Sequence, residues 1–158
     1  MKRWAIKKLN ENPEKFKKMP AKEYKTGDII KINSDEFLLN IAYSEKQSSS
    51  ARMQENSIFM NISSTISDDK KKEHISTLLS RVIAQKRLPM LHEKINALNS
   101  QHFQLPLKKI FFKHNKSNWG SCSAAGNINI STRLLFAPDE VLEYVCLHEL
   151  SHLREKNH

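Results

Sequence analysis

The sequence predicts an α+β chain in which a small N-terminal β-meander precedes two helices, and three observations predict it. Short apolar or alternating runs bounded by polar turn residues crowd into residues 28–62, the pattern of strands. From residue 68 onward, apolar residues recur at helical spacing. From Pro138 the apolar residues surround most of a helix that also holds two histidines and a glutamate.

Taken in order, residues 2–18 suit a basic helix, interrupted or capped near Asn10 to Pro13, and Lys22 to Gly27 suits a turn. Strands are expected over Asp28–Asn33, Phe37–Tyr43 and Ser57–Ile62, with the serine-rich Ser44–Asn56 as a mobile loop. Ser67 is placed to cap a helix whose first turn holds Asp68 and Asp69, both favourable at the positive end of the helix dipole. Ile75, Leu78, Leu79, Val82 and Ile83 give this helix one apolar face. Pro89 should kink or end it, and Leu91, Ile95 and Leu98 resume the period to about Asn99. Leu107–Lys113 reads as a strand, Asn115–Ser123 as a loop, and Asn127–Ser131 as a short alternating strand after a Gly126–Asn127 turn. Pro138 fits the start of the last helix, where its missing donor costs nothing, followed by Asp139 and Glu140. Apolar on nearly every side, that helix is expected to be buried. Two regions result, 1–66 with the basic helix and small β region, and 67–158 as a metal-dependent hydrolase domain.

Composition narrows the class. The chain has 158 residues, 39% hydrophobic and 27% charged, enough for a real core. Three glycines, five prolines and two cysteines exclude collagen-like, low-complexity and disulfide-framework proteins. No apolar run approaches the roughly 18 residues of a membrane span, and the basic start lacks the apolar core of a secretory signal. A reducing, cytoplasmic location is therefore expected. The net charge of +9 is uneven: residues 1–27 carry +6, 28–131 carry +5 and 132–158 carry −2. Such a basic surface can attract nucleotides or nucleic acid, although a solvated lysine-rich helix explains the N-terminal excess equally simply.

The chemistry sits in His148-Glu149-Leu150-Ser151-His152, an HExxH motif. Side chains at i and i+4 project from one helix face, so two imidazoles can reach one zinc ion at about 2.0–2.1 Å. Glu149, beside one ligand, can take the proton of a water whose pKa the ion lowers toward about 7. With this composition the motif arises by chance roughly 0.02 times per chain. Catalytic zinc needs a third protein ligand and an open position. His158, six residues after His152, is the candidate, and Glu155 is the runner-up. The HExxH-x5-H spacing is similar to the metzincin signature, with Glu155 where that pattern has its glycine. His74, His92, His102 and His114 lack ligand spacing and read as surface or hydrogen-bonding residues. Cys122 and Cys146 read as small buried or loop residues. Tyr144, four residues before His148, shares its face but reads as core packing.

Together, Ser117–Ser123 (SNWGSCS), Gly126–Ser131 (GNINIS), Arg133–Pro138 (RLLFAP) and Tyr144–His158 (YVCLHELSHLREKNH) resemble the YgjP-like metallopeptidase family, related to SprT-like zincins. The resemblance implies a zincin-like α+β fold, zinc on His148, His152 and His158, and Glu149 as catalytic base. It also implies that the Trp-Gly-Ser-Cys segment and the following strand lie beside the active-site helix, with Asn127–Ser131 as an edge that pairs with substrate backbone. Asn118 stands where the family has arginine. The basic start resembles the inside of the family's N-terminal region, and family members continue past His158, so a chain truncated at both ends is expected.

The leading function is a zinc-dependent metallopeptidase acting on a peptide or protein substrate. One alternative keeps the metal and hydrolyses phosphoanhydrides such as nucleoside triphosphates, although no glycine-rich phosphate loop is present. The other is a noncatalytic, metal-stabilised module that binds nucleic acid through the basic segment.

Overall fold

In the computed structural model of the chain, residues 23–32, 34–115 and 117–154 are described. They fall into two compact units, 23–86 and 87–154, with one long helix running from the first into the second. The expected basic helix over 2–18 lies outside the described residues.

The first unit is a four-stranded sheet followed by the start of the long helix. Its strands are β1 (Ile29–Ile32), β2 (Asp35–Ser44), β3 (Ser50–Gln54) and β4 (Ser57–Ser63), in the order β1-β2-β4-β3. Three of these strands match the expected segments; β3 lies within the stretch expected to be a mobile loop. Its residues alternate between exposed and half-buried, so no apolar run betrays it. It forms because a two-residue turn folds it onto β4, pairing Gln54 with Ser57 and Ser50 with Asn61. Glu55, in that turn, has φ 52°, the left-handed conformation that a tight hairpin demands. The insertion also corrects the meander: β2 and β4 pair in parallel, from Leu38↔Ser57 to Ser44↔Ser63. Ile30, Ile32, Phe37, Leu39, Ile58, Met60 and Ile62 alternate onto the buried side of the sheet.

The long helix, α1 (Asp68–His102), begins directly after Ser67, whose carbonyl accepts from the amides of Lys70 and Lys71. It continues through Pro89 instead of ending there. Proline removes one backbone bond, but Leu91 and Ile95 beyond it are fully buried, and burial of each is worth about 1.5–3 kcal/mol, which offsets the loss. The helix stops where Gln104, at φ 56°, donates its amide to the Asn99 carbonyl. The Asn99 side chain then holds both the amide and the carbonyl of Leu105, at 3.0 and 2.8 Å.

In the second unit, strands β5 (Lys109–Lys113), β6 (Gly120–Cys122) and β7 (Asn127–Ser131) form a sheet in the order β5-β7-β6. β7 pairs in parallel with β5 and antiparallel with β6, so it is central. The reading of Asn127–Ser131 as a substrate-pairing edge is therefore wrong: β7 already has a strand on each side. β6 lies within Asn115–Ser123, the segment expected to be a loop, because three residues that include glycine and cysteine carry no strand signal of their own. Gly126, at φ 82°, turns the chain into β7, and its carbonyl accepts the Lys108 amide. A Cβ at Gly126 would lie 2.5 Å from the Pro106 carbonyl oxygen, so no other residue fits. A 3-10 turn over Thr132–Phe136, capped by Ser131 Oγ, leads to the final helix α2 (Asp139–Arg154). The core of this unit joins Leu91, Ile95 and Leu98 of α1, Ile110, Ile128 and Ile130 of the sheet, and Val141, Val145 and Leu150 of α2.

Candidate active site

The position of α2 is set at its first turn. The Pro138 carbonyl accepts from Val141 and Leu142 at 3.0 and 3.2 Å, so proline caps the helix one residue before its first turn. Lys94 of α1 reaches across to Asp139 at 2.9 Å and Glu143 at 3.9 Å. With only 18% of its side chain exposed, this lysine ties the two helices through a half-buried ion pair, which loses less to screening than an exposed one.

α2 is not buried all round. Val141, Leu142, Val145, Cys146, Glu149 and Leu150 are buried, whereas His148 is exposed and His152 half-buried. The count of apolar residues misleads because Tyr144 and Leu147 are only half-buried beside the open face. The cost of burial falls on Glu149, one residue or about 100° further round the helix than His148.

His148 and His152 turn toward each other on that open face. Their Nε2 atoms are 2.9 Å apart and their rings meet edge to face, with centroids at 4.4 Å. Tyr144 stacks on the other side of His148, its centroid 6.2 Å away and its ring inclined by 20°. About two turns of helix thus layer three rings, Tyr144, His148 and His152. The contact between His148 and His152 is a hydrogen bond from one ring nitrogen to the other, its direction set by the tautomers. Two nitrogen ligands at about 2.0–2.1 Å in a tetrahedral set lie roughly 3.3 Å apart, a spacing this pair reaches by a small ring rotation. The two imidazoles therefore supply two convergent nitrogen donors of the kind a metal ion takes. The third expected ligand, His158, and the runner-up, Glu155, lie outside the described residues. Among the described residues no group of three or more His, Cys, Asp or Glu side chains could hold a metal.

Glu149 is only 6% exposed, and burial pushes its carboxyl up to about 7. Its side chain lies against β6: a Cβ added at Gly120 would meet Glu149 Cγ and Oε1 at 2.8 Å. Gly120 pairs with Ile130, and Cys122 with Ile128, so this row of β6 faces α2 and the core. Burial raises the Cys122 thiol, and the charge of Glu149 raises it further. Cys146, fully buried, is pushed up to about 12, mainly by burial. Both cysteines are free thiols; Cys146 is a small buried residue as expected, whereas Cys122 is half-buried in β6 and not in a loop.

Further contacts around β6 escaped the sequence reading. On the opposite side of the strand, Asn129 donates to the Ser121 carbonyl at 3.3 Å and also bonds Ser121 Oγ. Asn115 donates to Asn129 Oδ1 at 2.9 Å. The Arg133 guanidinium lies 4.1 Å from the centre of the Trp119 ring, and the Trp119 carbonyl accepts the Ser131 amide. The only signal for these contacts was the clustering of Trp119, Gly120 and Arg133 within the family-like stretches. His114 bonds Thr132 Oγ1 at 3.2 Å, the hydrogen-bonding role expected of it.

No helix among the described residues is long and apolar enough to cross a membrane. Searches of curated proteins and of solved structures gave no match to the chain. The sequence pattern of the YgjP-like, metallopeptidase domain matches residues 1–158. A metal-dependent peptidase domain is what a convergent histidine pair beside a buried glutamate would serve, and the chain belongs to the YgjP-like metallopeptidase family.

Proposed function

We propose that the chain is a zinc-dependent metallopeptidase with a zincin-like fold, its hydrolase domain spanning residues 67–158. His148, His152 and His158 are the metal ligands in this reading, and Glu149 is the general base. The observation that carries it is the state of Glu149: a carboxyl buried against Gly120 and poised near pH 7, next in sequence to one of two imidazoles whose Nε2 atoms converge. A general base works best when its pKa lies close to the working pH.

Zinc, when bound, supplies Lewis-acid polarisation of a water and of the scissile carbonyl. Glu149 accepts the water proton on a carboxylate oxygen and delivers it to the leaving amine nitrogen. Gly120 keeps space for that carboxylate, because any side chain there would displace it. Tyr144 limits the tilt of the His148 ring by stacking on it. Peptide or protein is the substrate class, and the free thiols of Cys122 and Cys146 suit a reducing cytoplasm.

The test compares zinc content and hydrolysis for the chain and for Glu149→Gln, offering an unfolded protein and a nucleoside triphosphate. The proposal expects about one zinc in both proteins, with proteolysis lost in the variant. Proteolysis that survives Glu149→Gln would overturn the assignment of the base. Hydrolysis of the triphosphate alone would replace the substrate class.

A further inference from the structure

Residues 103–138 contain no aspartate or glutamate, but they contain Lys108, Lys109, Lys113, Lys116 and Arg133. This stretch builds the whole β5-β7-β6 sheet, so no carboxylate within it offsets its positive charge. Strands alternate, and the division on β5 is sharp. Ile110 and Phe112 turn to the core, whereas Lys109, Phe111 and Lys113 are all exposed on the other side, Phe111 at 36%. Among the described residues β5 pairs only with β7, so this row lies along a sheet edge.

Lysines on an edge strand commonly serve only to discourage pairing with another sheet. Phe111 argues against that role, since an exposed aromatic ring between the two lysines restores the stickiness they would remove. Charge alone would suit any polyanion; the ring adds a stacking surface. We propose that the outer row of β5 binds single-stranded nucleic acid, with a base stacked on Phe111 and backbone phosphates on Lys109 and Lys113. At about 3.3 Å per residue the two lysines stand roughly 13 Å apart with the ring between them, so phosphates on both sides of one stacked base are within reach. The surface does not depend on the peptidase reading, because neither Glu149 nor the histidines contribute to it.

The test is fluorescence anisotropy of the full chain with a labelled oligothymidylate and oligouridylate of about 20 nucleotides, titrated between about 50 and 200 mM salt. Phe111→Ala should weaken binding about 5- to 100-fold, and Phe111→Tyr should keep it within about twofold. Replacing Lys109 and Lys113 together by glutamine should reduce the slope of log affinity against log salt by about 1.4, or 0.7 per lost phosphate contact. Proteolysis should be unchanged in all three variants. Absence of binding at low salt would overturn the proposal. So would equal affinity of Phe111→Ala and the parent, or tighter binding to vesicles of anionic phospholipid than to either oligonucleotide. If Phe111→Ala unfolds, Phe111→Tyr decides: a folded tyrosine variant that no longer binds would also overturn it.

Discussion

Gly120→Ala isolates what β6 does for the proposed general base. The new Cβ would stand 2.8 Å from both Cγ and Oε1 of Glu149 and 3.0 Å from Cδ. Ordinary contact between such atoms begins near 3.4 Å, so the carboxyl group must retreat by about 0.6 Å. Glutamate is flexible, and β6 is an edge strand of the sheet, so the overpacking cost should stay near 1–2 kcal/mol. That corresponds to a melting temperature lower by about 2–8 °C for a chain of this size. Catalysis is less tolerant, since a 1 Å misplacement can cost about 100-fold, and a shift of about 0.6 Å should cost about 10- to 100-fold in kcat with KM little changed. Steady-state proteolysis at a temperature where both proteins are folded, with zinc content measured in parallel, gives the answer. A kcat within about twofold of the parent at full zinc occupancy would refute the reasoning, because Gly120 would then not position Glu149. Loss of zinc from the variant would refute it in another way, by showing that the strand supports the ligands and not the base.

Other outcomes follow from the same geometry. Burial raises the Glu149 carboxyl from 4.5 to about 7, so the folded state holds a proton that the unfolded state releases. Its cost to stability is absent below pH 4.5, grows as pH rises to 7 and is complete above that. In chelator-treated protein, Glu149→Gln should therefore be more stable than the parent above pH 7 by about 1–3 kcal/mol and equal to it near pH 4, as read from urea midpoints; a difference independent of pH would count against this. His152→Ala should lower zinc affinity by on the order of 100-fold or more in chelator competition, while leaving the fold intact because this residue is half-buried at most. Lys94→Met should cost about 1–2 kcal/mol by leaving Asp139 and Glu143 without their shared cation at the start of α2, measured by thermal melting. Gln104→Gly should raise stability by about 0.5–1 kcal/mol, since φ 56° costs glutamine what it does not cost glycine.

The elements that the sequence showed clearly are those whose own residues state their period. β1, β2, β4 and β7 each alternate or run apolar, and their observed limits differ from expectation by only a residue or two. β3 and β6 were not legible because neither has an apolar run; each exists by pairing with a neighbour that does. The meander failed for the same reason, since an unseen β3 turns a simple return into a parallel pairing of β2 with β4. Within the site, spacing alone brought His148 and His152 to one face. It could not say which face was open, because hydrophobic counts treat the half-buried Leu147 and the buried Leu150 alike. The closeness of Gly120 to Glu149 is a tertiary fact across 29 residues, and nothing local to either residue encodes it.

The period of two in β6 explains how so short a strand can govern a catalytic carboxylate. Gly120 and Cys122 face α2, and Ser121 between them faces away. Ser121 is held there by Asn129, which Asn115 holds in turn. The helix-facing row contains no side chain that could grip the strand without crowding Glu149, so the grip is applied from the reverse side. Asn129→Ala should therefore move Glu149 without touching it. The variant would lose kcat by a smaller factor than Gly120→Ala and retain zinc, because His148 and His152 sit on the open face of α2. Combining the two substitutions should add little to the loss from Gly120→Ala alone, since both act through the placement of the Glu149 carboxylate against β6. Fully multiplicative losses would show instead that Asn129 and Gly120 act on the site independently.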